Sequence, residues 1–258
     1  MVIIMKMNEE KVIRKAMDFR RNILGLRDDE SISDFEQLVE KAGFFLLISS
    51  FPSEYDNQNE KGFLYSGENI EFIFINNTSY YCTQNFTVWH EVYHSIEGHD
   101  DFEFKDDNSK KIIEKEADLF AATILIPPET LRVRLNKKIG ENRIYISDIH
   151  KLSIEFNCHY EVAYMQIKRT FPRFYKSNKY FKNLYKSSNN FAYLKDEEIY
   201  KIEELRKNKN FSLCVPTGAN HFPPIGADQM VSGKYGQLFF FPYRWLTWWV
   251  ASPFHFFL

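Results

Sequence analysis

The sequence predicts an α+β fold, a small mixed sheet packed on one side by helices. Three observations carry this prediction. Short apolar runs rich in Phe, Ile and Leu lie in the first third of the chain, separated by turn-rich stretches. Two longer segments with helical periodicity come after them, around residues 86–97 and 109–126. Strands grouped together with helices before and after them, without regular alternation, is the order of an α+β chain and not of a parallel βαβ repeat.

In chain order, residues 9–25 read as an opening helix and Ser33–Ala42 as a second. The run from Phe44 to Ser50 is a buried-strand candidate, and Phe63–Tyr65 and Ile70–Ile75 supply further strands after a polar, turn-rich stretch at 52–60. The segment at 86–97 contains no proline, with Asn85 as its candidate N-cap and Gly98 as its stop. An acidic loop at 100–107 leads to the next helix, which Ser109 caps and Pro127-Pro128 ends. At about 100° per residue, Ile113, Ala117, Phe120, Ala121 and Ile124 share one face of that helix. Residues 145–170 read as helix, tight turn at Asn157-Cys158-His159, and helix.

The chemistry concentrates at residues 90–94, His-Glu-Val-Tyr-His. Four-residue spacing on a helix projects His90 and His94 from one face, close enough to share a zinc ion, with Glu91 beside the open position. A third ligand comes from the second helix. Glu114 and Asp118 lie one turn apart on a flank of its apolar stripe, beside the small residues Ala117 and Ala121, where another helix can approach closely. Glu114 is the expected third ligand, with Glu116 on the other flank as the alternative. Asp118 is placed to accept from a ligand histidine's second ring nitrogen and so fix its tautomer.

These segments resemble a known family. Phe86-Thr87-Val88-Trp89-His90-Glu91-Val92-Tyr93-His94, followed by Glu114-Lys-Glu-Ala-Asp-Leu-Phe-Ala-Ala-Thr-Ile-Leu-Ile-Pro127, is similar to the ImmA/IrrE metallopeptidases over roughly residues 10–170. The resemblance implies a zincin-like domain, assigned to 1–140; the residues themselves mark a helix-turn-helix-like segment over 141–175 and leave a C-terminal region of unassigned role over 176–258. It implies that His90, His94 and Glu114 bind zinc and that Glu91 is the catalytic carboxylate. It also implies a substrate, a helix-turn-helix transcriptional repressor of the kind phages and mobile elements encode. Tyr93 departs from the family's usual glycine. Tyr93 and His99 are candidates for steadying a developing oxyanion, though no spacing argument selects either.

Composition sets the surroundings. The 258 residues admit one large domain or two modest ones, and a formal charge of −2 favours neither a nucleic-acid binder nor an acidic tail. Cys82, Cys158 and Cys214 are odd in number and unpaired in spacing, which fits a reducing compartment. The N-terminus lacks the pattern of a secretory signal, so the expected location is cytoplasmic. Between Lys168 and Lys186 the chain mixes basic and aromatic residues with no acid. Two readings compete there: DNA contact by the helix pair and this stretch, or a helix pair packed on the preceding domain and followed by a solvated linker. The overall charge and Glu161 favour the second. Asp196–Lys207 reads as a charged helix, and residues 216–234 as turn-rich. The aromatic run at 238–258 is long enough to span a bilayer, but Pro242, Arg244, Pro253 and His255 argue for a small core instead.

Overall fold

The computed structural model describes residues 7–51, 60–67, 71–98, 107–208 and 212–214. The turn-rich stretch at 52–59, Ile70, His99, most of the acidic loop and the whole segment after Cys214 lie outside the described residues.

Asn8 opens the first helix, α1 (Glu9–Asp18), by accepting from the Lys11 backbone N–H, and Val12, Ala16 and Met17 turn inward. The helix runs on through a π turn (Phe19–Ile23), in which the Leu24 N–H reaches back five residues to Phe19 O. Gly25, at φ 69°, then stops it. Asp34 caps α2 (Phe35–Lys41) in the same manner as Asn8.

Strands β1 (Phe45–Ser49), β2 (Gly62–Ser66), β3 (Glu71–Asn76) and β4 (Ser212–Cys214) form one mixed sheet in the order β2-β3-β1-β4. β1 and β3 run parallel, with Phe45 opposite Phe72 and Ser49 opposite Asn76. β2 and β4 are the antiparallel edges. Because side chains alternate across a strand, Leu46, Ile48, Leu64, Ile73 and Ile75 join the helical core. The opposite face stacks aromatic rings, with Phe63 5.0 Å and Phe51 4.8 Å from Phe74. The short strand β4 was not expected from the sequence; three residues are too few to show a period.

The helix α3 (Tyr81–Glu97) lies beneath the sheet and is buried on nearly every side, Val88, Trp89 and Val92 being inaccessible to solvent. Asn85 does not cap it, contrary to expectation, because the helix begins four residues earlier. Its buried amide is used across the core instead, donating to Asn157 O at 3.0 Å and accepting from the Trp89 indole at 3.1 Å. Gly98 does end the helix, at φ 65°. The next helix, α4 (Asp107–Leu125), packs along α3 with the predicted stripe from Ile113 to Ile124 buried. Ser109 lies inside its first turn and is not its cap, since Asp107 is already helical. The proline pair ends α4, and Pro128 also starts α5 (Pro128–Gly140), where a missing N–H costs nothing.

The helix pair α6 (Ile146–Glu155) and α7 (Tyr160–Thr170) is joined through Asn157, which takes a left-handed φ of 49°. α7 is embedded among α4, α5, α6 and the short α8 (Pro172–Ser177). Glu161 is its one fully exposed residue. Gln166 reaches out of α7 to donate to Ala122 O and Ile126 O at the end of α4. Tyr160, Ala163, Tyr164, Gln166 and Ile167 are buried against these neighbours, so the helix pair packs on the preceding domain as expected. The segment after α7 is not the expected solvated linker. It folds as α8, α9 (Lys179–Asn183) and a 3-10 turn (Leu184–Ser187), pinned by buried Phe174, Phe181 and Leu184. The charged helix α10 (Asp196–Leu205) packs on α6 and α3. Among the described residues no helix is long and apolar enough to cross a membrane.

Candidate metal centre

The close packing of α3 on α4 brings three donors together. His90 Nε2 lies 3.1 Å from His94 Nε2 and 3.2 Å from Glu114 Oε2, and His94 Nε2 is 3.9 Å from Glu114 Oε1. Tetrahedral bonds of about 2.05 Å place neighbouring donors about 3.3 Å apart, so the triangle has the dimensions of one face of a zinc site. Two imidazoles and one carboxylate are also a catalytic zinc donor set, with the fourth direction left for water or substrate. His94 is buried, His90 nearly so, and Glu114 closes the cluster from the solvent side.

His90 is fixed at both ring nitrogens. Its Nδ1 lies 3.1 Å from Asp118 Oδ1, one turn along α4 from Glu114. With Nδ1–H donating there, Nε2 turns toward His94 and Glu114, and once its proton leaves it offers the lone pair that a metal ligand needs. Burial disfavours the His90 imidazolium, but hydrogen bonds to Asp118 and Glu114, helped by nearby Glu91, override it and raise the pKa to about 10. Glu114 is held below the usual carboxylate range by its hydrogen bond to His90, against the opposing effect of burial. The field at this point is one that attracts positive charge, as a dication site requires.

The other expected residues fall in different places. Glu91 is buried on α3, near enough for its charge to act on His90. Glu116 does not join the donors. Its Oε2 accepts from the Tyr93 hydroxyl at 2.9 Å and its Oε1 from the Asn8 N–H at 3.4 Å, which removes it as the alternative third donor. The same bond engages Tyr93, whose ring packs 5.3 Å from Phe120. Burial and the Glu116 carboxylate push the Tyr93 phenol pKa up.

Sequence reasoning missed the contribution of Gly62 on β2. A side chain there would meet Phe74 O at 2.6 Å and the Thr87 methyl at 2.8 Å. Only glycine lets this edge strand settle onto α3 one turn before His90. The signal was present as a lone glycine opening a strand, which marks a close backbone approach.

A helix carrying two histidines under a mixed sheet, with the third donor from the next helix, defines a zincin-like fold. Residues 47–168 match the Peptidase_M78 model, the IrrE N-terminal-like domain, so this domain, rather than the chain as a whole, is of the ImmA/IrrE type. The match runs from β1 to the last turn of α7, so α1 and α2 lie outside it. None of the curated proteins compared with the chain matches it.

Proposed function

We propose that this protein is a zinc-dependent endopeptidase that cuts a helix-turn-helix transcriptional repressor and thereby relieves repression. The observation that carries the hydrolytic reading is the convergence of His90, His94 and Glu114, with Glu91 next to the first of them in sequence. The family of residues 47–168 supports peptide-bond cleavage, and the repressor as substrate rests on the resemblance to ImmA/IrrE proteins.

Zinc held by these three residues supplies Lewis acidity, which brings the pKa of water near neutrality and polarises the scissile carbonyl. The chain's own groups do the rest. Glu91 accepts the proton of the attacking water as a C–O bond forms at the peptide carbon, and then delivers it to the amine as the C–N bond breaks. Asp118 keeps the His90 ring from rotating.

The test is Glu91→Gln. This variant is expected to bind one zinc per chain, as the wild type does, and to lose cleavage by at least about a hundredfold, the contribution of a positioned acid–base group. The readout is mass spectrometry of repressors from phages and mobile elements after incubation with zinc-loaded protein. Cleavage by Glu91→Gln at the wild-type rate would overturn the mechanism. Zinc-loaded wild type that cuts unrelated unfolded proteins as readily as repressors would overturn the substrate assignment.

A further inference from the structure

Between Glu161 and Asp196 the chain contains eight lysines and arginines and no acid, although its overall charge is −2. This run begins at the end of the family match, at residue 168. The structure gathers most of it onto the rigid layer formed by the end of α7, α8, α9 and the 3-10 turn. Tyr164 stacks on Phe181 at 4.8 Å, the Tyr160 hydroxyl donates to Leu184 O at 2.8 Å, and Asn178 caps α9 while donating to Asn142. Two of the eight stand outside the group. Lys195 sits at the start of α10, and Arg169 turns away, largely buried and within the field of Asp118 and Glu9. The other six, Lys168, Arg173, Lys176, Lys179, Lys182 and Lys186, remain on the outer side.

None of those six forms an ion pair among the described residues. Elsewhere basic side chains commonly do: Arg21 with Asp28, Arg134 with Glu155, Lys138 with Asp148, Lys151 with Glu198 and Lys201 with Glu197 are examples. Two of the six even share one ring, the Lys168 and Lys182 ammonium groups lying 4.9 and 5.5 Å from the centre of Tyr175. Like charges held this way raise the energy of the isolated protein, and a polyanion lowers it. Two tyrosines of the layer, Tyr180 and Tyr185, are also exposed and can donate to phosphates or stack on bases.

We infer that the α7–α9 layer is a nucleic-acid-binding surface that engages the phosphate backbone through these six residues, with no reading by α7. The aliphatic and phenylalanine side chains Phe174, Phe181 and Leu184 are buried, so apart from Tyr180 and Tyr185 the layer offers a membrane little to insert. It also lacks the apolar centre typical of a protein–protein interface. A highly positive, polar surface with hydroxyl donors is the protein–DNA type.

The test is fluorescence anisotropy of labelled 20-base-pair and single-stranded DNA, with full-length zinc-loaded protein at several salt concentrations. Binding is expected to weaken steeply with salt, and the triple variant Lys176→Glu, Lys179→Glu, Lys186→Glu to bind more than tenfold more weakly at 100 mM salt, with a slope shallower by about three. A control triple reversal at Lys111, Lys137 and Lys201 is expected to cost less than threefold. Circular dichroism and zinc content check that both variants remain folded. No DNA binding at 50 mM salt, or equal losses in the two triples, would overturn the inference. So would anionic vesicles or polyglutamate binding this layer in preference to DNA.

Discussion

His90 is held by Asp118 at one nitrogen while the other faces His94 and Glu114, so the orientation of the ring is set before any metal arrives. Removing that steer in Asp118→Ala is expected to weaken zinc binding ten- to a hundredfold, as for other groups that orient metal ligands. Competition with a chromogenic chelator measures this, and unchanged affinity would show that the ring needs no such hold. Tyr93→Phe deletes the hydroxyl that bonds Glu116 and is expected to cost about 1 kcal/mol, or a melting temperature lower by about 2–4 °C. An unchanged melting curve would show that the bond adds nothing. The donors were legible because a four-residue spacing survives in any helix and Glu114 sat beside the alanines that allow contact. The Tyr93–Glu116 bond was not, because it depends on how α4 is rotated against α3, and no periodicity within either helix encodes that angle.

Among the elements, the α6–α7 pair contains a group that ties stability to pH. His150 is buried on α6 with its ring 4.6 Å from Tyr160 and 5.4 Å from Phe191, and its Nε2 has no hydrogen-bond partner among the described residues. Burial lowers its pKa to about 4, Arg206 and His159 add to the effect, and hydrogen bonds with the backbone at Asn190 and Ser187 oppose it. A depressed histidine leaves the unfolded chain binding more protons than the folded one between about pH 6.5 and 4. The contribution of this residue is therefore complete above pH 6.5 and fades as pH falls toward 4, by roughly 3 kcal/mol. His150→Gln is expected to lose less stability than the wild type across that interval in denaturant titrations, and parallel acid limbs would refute the assignment. The first three strands and the helices flanking the site could be read from apolar runs and periods. The edge strand β4 and the helices α8 and α9 could not. They are too short to show a period, and contacts with distant residues, β1 for the strand and Asn142 for the cap of α9, help decide their conformation.

Across the whole molecule, the last carbonyls of α4 are satisfied from two directions. Gln166 bonds those of Ala122 and Ile126, while the fully buried Arg20 bonds Ile124 O as well as the carbonyls of Arg27 and Glu30. Burial lowers the Arg20 pKa to about 10, yet the guanidinium stays charged near neutrality, at the negative end of the α4 dipole. Arg20→Met leaves the carbonyls of Ile124, Arg27 and Glu30 without this donor, and the buried one at Ile124 alone costs about 1–3 kcal/mol. Residues 47–168 expressed alone lack Arg20 and the α1 surface against which α4 packs. That fragment is expected to show no cooperative thermal transition, and a sharp two-state melt would disprove the claim. The stretch recognisable by kinship is thus shorter than the stretch that must fold together. Anyone grafting this domain into another protein would need to carry the leading helices with it, because the far end of the glutamate-bearing helix is anchored by a residue that lies outside the recognisable segment.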